Sequence, residues 1–112
     1  MTAPHLNRKL LLEAPQQIAD GAGGYTTSWI ALGTLWAEIR PRSGREREAE
    51  SFPQATVPYH VIVRAAPDGA PSRPKPEQRF RLGSRIFQIR AVGEYGSDGR
   101  YLTCFAKEEV AQ

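Results

Sequence analysis

Thr34-Leu35-Trp36-Ala37-Glu38-Ile39-Arg40 is the stretch that decides the fold. Its residues alternate: Leu35, Ala37 and Ile39 fall on one face, and Trp36, Glu38 and Arg40 on the other. A helix would space its apolar residues by three and four, so this is a strand with one side turned to a core. The same period recurs downstream. Tyr59, Val61, Val63 and Ala65 oppose His60, Ile62 and Arg64. Phe87, Ile89 and Ala91 oppose Ile86, Gln88, Arg90 and Val92, and Leu102, Cys104 and Ala106 oppose Tyr101, Thr103, Phe105 and Lys107. Arg8 to Glu13 and Tyr25 to Leu32 are weaker strand candidates, and Phe80-Arg81-Leu82 is a short one.

Breakers separate these runs. Gly21-Ala22-Gly23-Gly24 is a turn, Gly83-Ser84 is a tight turn, and Gly93 to Gly99 reads as the loop of a long C-terminal hairpin. Nine prolines and ten glycines in 112 residues argue for many turns and against long helices. The expected fold is all-β: a small antiparallel β-barrel of about six strands, in one domain spanning 1–112, whose closure removes exposed edges. Two connections stand out. Arg40 to Pro58 is long, and its centre holds Arg45, Glu46, Arg47, Glu48 and Glu50, either a short solvated helix or a charged loop. Pro67 to Pro76 carries four prolines and should be a stiff, exposed segment.

Composition excludes several classes. Hydrophobic content of 40% and aromatic content of 9% belong to a folded chain. No stretch approaches the roughly 20 apolar residues of a membrane helix, and the N-terminus is not read as a signal peptide, so a soluble protein is expected. A single cysteine, Cys104, makes no internal disulfide and points to synthesis in a reducing cytoplasm. No metal site or cofactor is expected, because His5, His60 and Cys104 lack ligand spacing. Neither a GxSxG elbow nor a phosphate-binding glycine loop is present, and the only paired carboxylates sit among arginines. No catalytic residue is assigned, and the sequence does not support an enzyme.

Binding is the better class. The net charge is only +3, but twelve of the fifteen basic residues are arginine, whose planar fork suits partly buried ion pairs and protein interfaces as well as phosphate. Trp36 shares the polar side of its strand with Arg40, which suggests a second buried surface, from a packed loop or a neighbouring subunit. His60 and Arg64 extend that candidate interface. Separately, Arg79, Arg81, Arg85, Arg90 and Arg100, interleaved with Phe80, Phe87 and Tyr101, form a candidate nucleic-acid face for an oligonucleotide-binding barrel. Its bland counterpart is aromatics in the core with arginines around the rim.

The ordered set of features resembles the head-closure proteins (head–tail joining, stopper or head–tail adaptor proteins) of long-tailed phages and phage-derived gene transfer agents. The features are Arg8 to Glu13, Asp20 to Gly24, Trp29, Leu35-Trp36-Ala37-Glu38-Ile39, Arg40-Pro41 leading to Gly44, Arg45 and Glu46, His60 to Arg64, Arg79 to Ile89, and Tyr101 to Glu108. The proline-rich Ala65 to Pro76 replaces a shorter link in the family pattern. The resemblance implies a β-barrel assembling as a twelvefold ring in the neck of a virion or gene transfer agent particle made in the host cytoplasm. Its implied partners are a portal or adaptor ring on the head side, a tail terminator or tail tube protein on the tail side, and packaged double-stranded DNA in the channel. The loop Arg40 to Pro58 would project toward that channel, with Arg42, Gly44, Arg45, Glu46, Arg47, Glu48 and Glu50 as a gate. Interleaved charges keep such a loop nearly neutral, so that it meets DNA without gripping it.

Overall fold

The computed structural model describes residues 3–42 and 55–110. The described residues form six strands: β1 (Arg8–Ala19), β2 (Tyr25–Pro41), β3 (Ala55–Arg64), β4 (Arg79–Leu82), β5 (Arg85–Tyr95) and β6 (Tyr101–Val110). All pair antiparallel in the order β1-β2-β3-β6-β5-β4, and the β4–β1 ladder closes the barrel. The alternating residues meet inside. Leu10, Leu12, Ala37, Val61, Val63, Phe80, Phe87, Ile89, Leu102, Cys104 and Ala106 form the core, with Leu35 and Ile39 packed against it. Each large side chain so buried stabilises by about 1.5–3 kcal/mol relative to exposure.

The strands run further than periodicity suggests. Tyr25–Leu32 and Thr34–Arg40 are one strand, joined through Gly33 at φ 137°. There the register moves from Leu12↔Gly33 to Glu13↔Ala31, leaving Leu32 as the extra residue of a bulge. A glycine adopts that backbone without the strain a side chain would bring. β1 likewise continues past Glu13 to Ala19, through Pro15. Beyond Glu13 it has, among the described residues, only β2 beside it, so the missing N–H of Pro15 lies on an edge strand, where it is tolerated. Ala14–Ala19 and Tyr25–Ala31 thus form a two-stranded arm that leaves the barrel.

Four further expectations need correction. Gly93 to Tyr95 belong to β5, paired with Tyr101 to Thr103, so the hairpin loop is only 96–100. A register shift between Ile89 and Ala91 makes Arg90 a bulge residue, and Val92, not Ala91, packs on the core. A one-residue slip of this kind exchanges the two faces. The proline-rich segment is exposed along much of its length, but Pro74 is fully buried. Arg73 ties the segment together through the carbonyl oxygen of Ala66 at 2.7 Å and Asp68 at 3.1 Å. The long connection is shorter than Arg40 to Pro58, because β2 ends at Pro41 and β3 starts at Ala55.

Candidate functional site

Antiparallel register lines up side chains across the outside of β2, β3, β6 and β5. One row is Glu38, Ile62, Thr103 and Gly93; the next is Arg40, His60, Phe105 and Ala91. Arg64, Tyr101 and Tyr95 form a third. Ile62 and Thr103 are buried although they face away from the barrel interior. The N-terminal segment crosses above them: the His5 backbone N–H donates to Glu38 Oε1 at 2.7 Å, and Ala3 and Pro4 reach a cleft lined by Tyr95 and Tyr101. Sequence reading missed this strap, since Ala3 to Asn7 has no periodicity to mark it.

Polar contacts organise the same face. Arg40 Nε donates to Glu38 Oε2 at 2.6 Å, and Arg40 Nη2 donates to the Tyr95 hydroxyl at 3.2 Å. The hydrogen bond from Arg40 holds the Glu38 carboxyl below its ordinary pKa, and Glu38 raises that of Arg40 in turn. His60 stands edge-on to Phe105, ring centroids 4.7 Å apart, and its Nε2 accepts from Arg42 Nη1 at 2.6 Å. Arg64 lies over the Tyr101 ring at 5.7 Å. Trp36, 55% exposed, borders a groove with Leu6, Thr34, Leu35 and Arg64. The structure therefore brings Trp36, Arg40, His60 and Arg64 onto one outer face, rich in aromatic rings and arginines.

The second arginine set does not form one face. Arg79 Nε donates to Glu13 at 2.7 Å and stacks on Trp29, 3.9 Å from the ring centroid; Arg81 reaches the same carboxylate at 3.4 Å. Glu13 is 4% exposed, a buried anion whose role sequence reading missed. Arg85 makes a two-toothed pair with Glu108 at 2.7 and 3.0 Å and also donates to the Tyr59 hydroxyl at 3.4 Å. Arg100 sits beside Asp98 at 3.5 Å on the 96–100 loop, and Arg90 is exposed on the β5 bulge. Phe80 and Phe87 are core residues and so offer no stacking surface.

Of the gate residues, Arg42 is described: its N–H continues the β2–β3 ladder by donating to the Pro58 carbonyl at 3.0 Å. Gly44, Arg45, Glu46, Arg47, Glu48 and Glu50 lie outside the described residues. Burial pushes the Cys104 thiol up to about 12, so it packs as a small apolar group. Among the described residues no cluster of His, Cys, Asp and Glu is arranged to hold a metal ion.

Residues 1–109 match the phage head completion protein family. A chain from a structure described as the virion of a native gene transfer agent particle is 54% identical, with a TM-score of 0.84, covering 98% of this chain and 100% of that one. The solution structure of protein SF1141 from Shigella flexneri 2a shares the fold at 20% identity, with a TM-score of 0.66 and 96% of each chain covered. None of the curated proteins matches this chain.

Proposed function

The chain belongs to the phage head completion protein family, and from that premise we propose that it is a structural subunit of the neck between a DNA-filled head and a tail. The observation that carries this reading is the match over residues 1–109, joined to 54% identity with a chain of a gene transfer agent virion. In the proposed arrangement the single domain repeats as a ring, twelvefold by family resemblance, in a virion or gene transfer agent particle. A portal or adaptor ring lies above it and a tail terminator or tail tube protein below. Double-stranded DNA passes through the ring, which helps retain it until the tail is fitted.

Two features of the molecule support a protein-binding scaffold. The outer face holding Trp36, Arg40, His60 and Arg64 has the aromatic and arginine content that interfaces favour. We assign it to contacts within the neck. Four of the five arginines from Arg79 to Arg100 are engaged with carboxylates, which leaves less free charge for phosphate than an oligonucleotide-binding barrel would require. The loop after Arg42 is proposed as a gate, nearly neutral because Arg45 and Arg47 are interleaved with Glu46, Glu48 and Glu50.

Deleting the gene tests the role. Filled or leaking heads separated from complete tails, rejoined on addition of purified protein, are expected by electron microscopy. Normal tailed particles would overturn it. Exchanging Glu46, Glu48 and Glu50 for glutamine should leave joining intact while slowing DNA exit, as the loop becomes cationic. Unchanged ejection kinetics would remove the gate from the proposal.

A further inference from the structure

Residues 3–7 cross the outside of the barrel from β2 to β5 and belong to no strand. Pro4 and Leu6 are half-buried, whereas Ala3, His5 and Asn7 are exposed. Leu6 borders the groove of Trp36 and Arg64, and Pro4 enters the cleft of Tyr95 and Tyr101. The bond from the His5 N–H to Glu38 is open to solvent. A segment fastened in this way sits at the low-stability end of a fold. What it hides is apolar. Trp36, Ile62 and Phe105 stand on successive rows of β2, β3 and β6, so they form one diagonal across the sheet. Ile62, at its centre, is 1% exposed, and Trp36 and Phe105 at its ends are 55% and 39% exposed. The strap passes over the middle row and divides the diagonal in two.

β2 offers the same residues a second place. β1 begins at Arg8, opposite Ala37, and Glu38 to Pro41 pair with β3 on their other side. On the side that β1 occupies, none of the described residues pairs with Glu38 to Pro41. Continued backward, the β1 register would set Asn7 against Glu38, Leu6 against Ile39, His5 against Arg40 and Pro4 against Pro41. Leu6 would then share the side of Leu10 and Leu12, beside Ile39, which packs on the core. Pro4 would end the strand, where its missing N–H is tolerated. The crossing from β2 to β5 spans three strand spacings, about 14 Å, so the five residues are already nearly extended. Moving between the two places therefore exchanges neighbours without refolding the segment.

We propose that residues 3–7 are a two-position cover. Crossed over the barrel in the free chain, they hide Ile62 and leave only the separated ends of the diagonal exposed. Laid along β2 as an extension of β1, they open Trp36, Ile62 and Phe105 as one strip and close the unpaired β2 edge. A protein that docks over the strip cannot bind the covered form, so docking draws the strap onto β2 by population shift. Two discrete packings of one segment make such an exchange a switch, not a gradual loosening. The inference rests on the assignment of this outer face to contacts within the neck.

Paired cysteines test each position. Ala3→Cys with Ser97→Cys links two residues that line one cleft while the strap is crossed, and Leu6→Cys with Ile39→Cys links the expected neighbours once it lies on β2. Cys104 is buried and stays out of both pairings. In the free chain, mild oxidation should close the 3–97 pair at least about tenfold faster than the 6–39 pair, and in assembled particles the order should reverse. An unchanged order in particles overturns the inference. A chain locked through the 3–97 pair should rejoin separated heads and tails about tenfold less well than the same chain after reduction, which also controls for folding. Equal joining by the locked and reduced forms overturns the cover. Failure of the wild-type chain to join heads and tails would instead sink the neck role on which the cover rests.

Discussion

Glu13 shows how much one side chain decides. A carboxylate at 4% exposure is tolerable only because Arg79 and Arg81 both face it. Removing one partner of a buried pair leaves the other charge without compensation, which costs about 3–5 kcal/mol. Arg81 is partly exposed and the pair is not fully dry, so Glu13→Ala is expected to cost about 3 kcal/mol in urea unfolding. Glu108 adds a dependence on pH. The hydrogen bond from Arg85, above all, holds its pKa below the ordinary 4.5. A carboxyl depressed in the folded state contributes stability that is complete above the unfolded value and lost as pH falls through the folded one. Unfolding midpoints measured downward from neutral pH should therefore drop below about pH 4.5, and less steeply in Arg85→Gln. None of these pairings could be read from sequence, because Glu13 and Arg79 are 66 residues apart and nothing local links them.

At the level of elements, alternation located most of the barrel. The faces of Thr34–Arg40 and Tyr101–Lys107 are as period two predicts, with Leu35, Ala37, Leu102 and Cys104 inward and Trp36 and Phe105 outward. Bulges defeated the same reasoning. They insert one residue at Leu32 and another at Arg90, and after each the parity of the strand reverses. Gly33 and Pro15 are poor strand formers lying just beyond the expected ends at Leu32 and Glu13, yet each occupies a place inside a strand where its peculiarity is harmless. The Gly33 backbone at φ 137° has open space where a Cβ would sit, so substitution there meets strain without a clash. Gly33→Ala is expected to cost about 1–2 kcal/mol and lower Tm by roughly 5–10 °C, with Thr34→Ala as control. A melting curve that matches wild type would mean that β2 relaxes its path there. Of the candidate interface, Trp36, Arg40, His60 and Arg64 were legible because a strand puts every second residue on one side. The strap of Ala3 to Asn7 over Ile62 was not legible, because irregular backbone leaves no period.

For the molecule as a whole, topology sets the pace of folding. The barrel joins β1 to β4 and β3 to β6, so strands far apart in sequence must meet before either ladder forms. Barrels dominated by such pairings fold in milliseconds to seconds, and stopped-flow refolding of the purified chain should lie in that range rather than in microseconds. The closure is also uneven. Leu11 to Glu13 against Arg79 to Arg81 is all that joins β1 to β4, whereas β3 and β6 are zipped from Ala55 to Arg64. A hoop under load parts at its shortest weld. If the proposed neck bears the pressure of confined DNA, tension around the barrel would concentrate at the Glu13–Arg79 seam. The mechanical yield point of the particle's neck would then be written in three residue pairs.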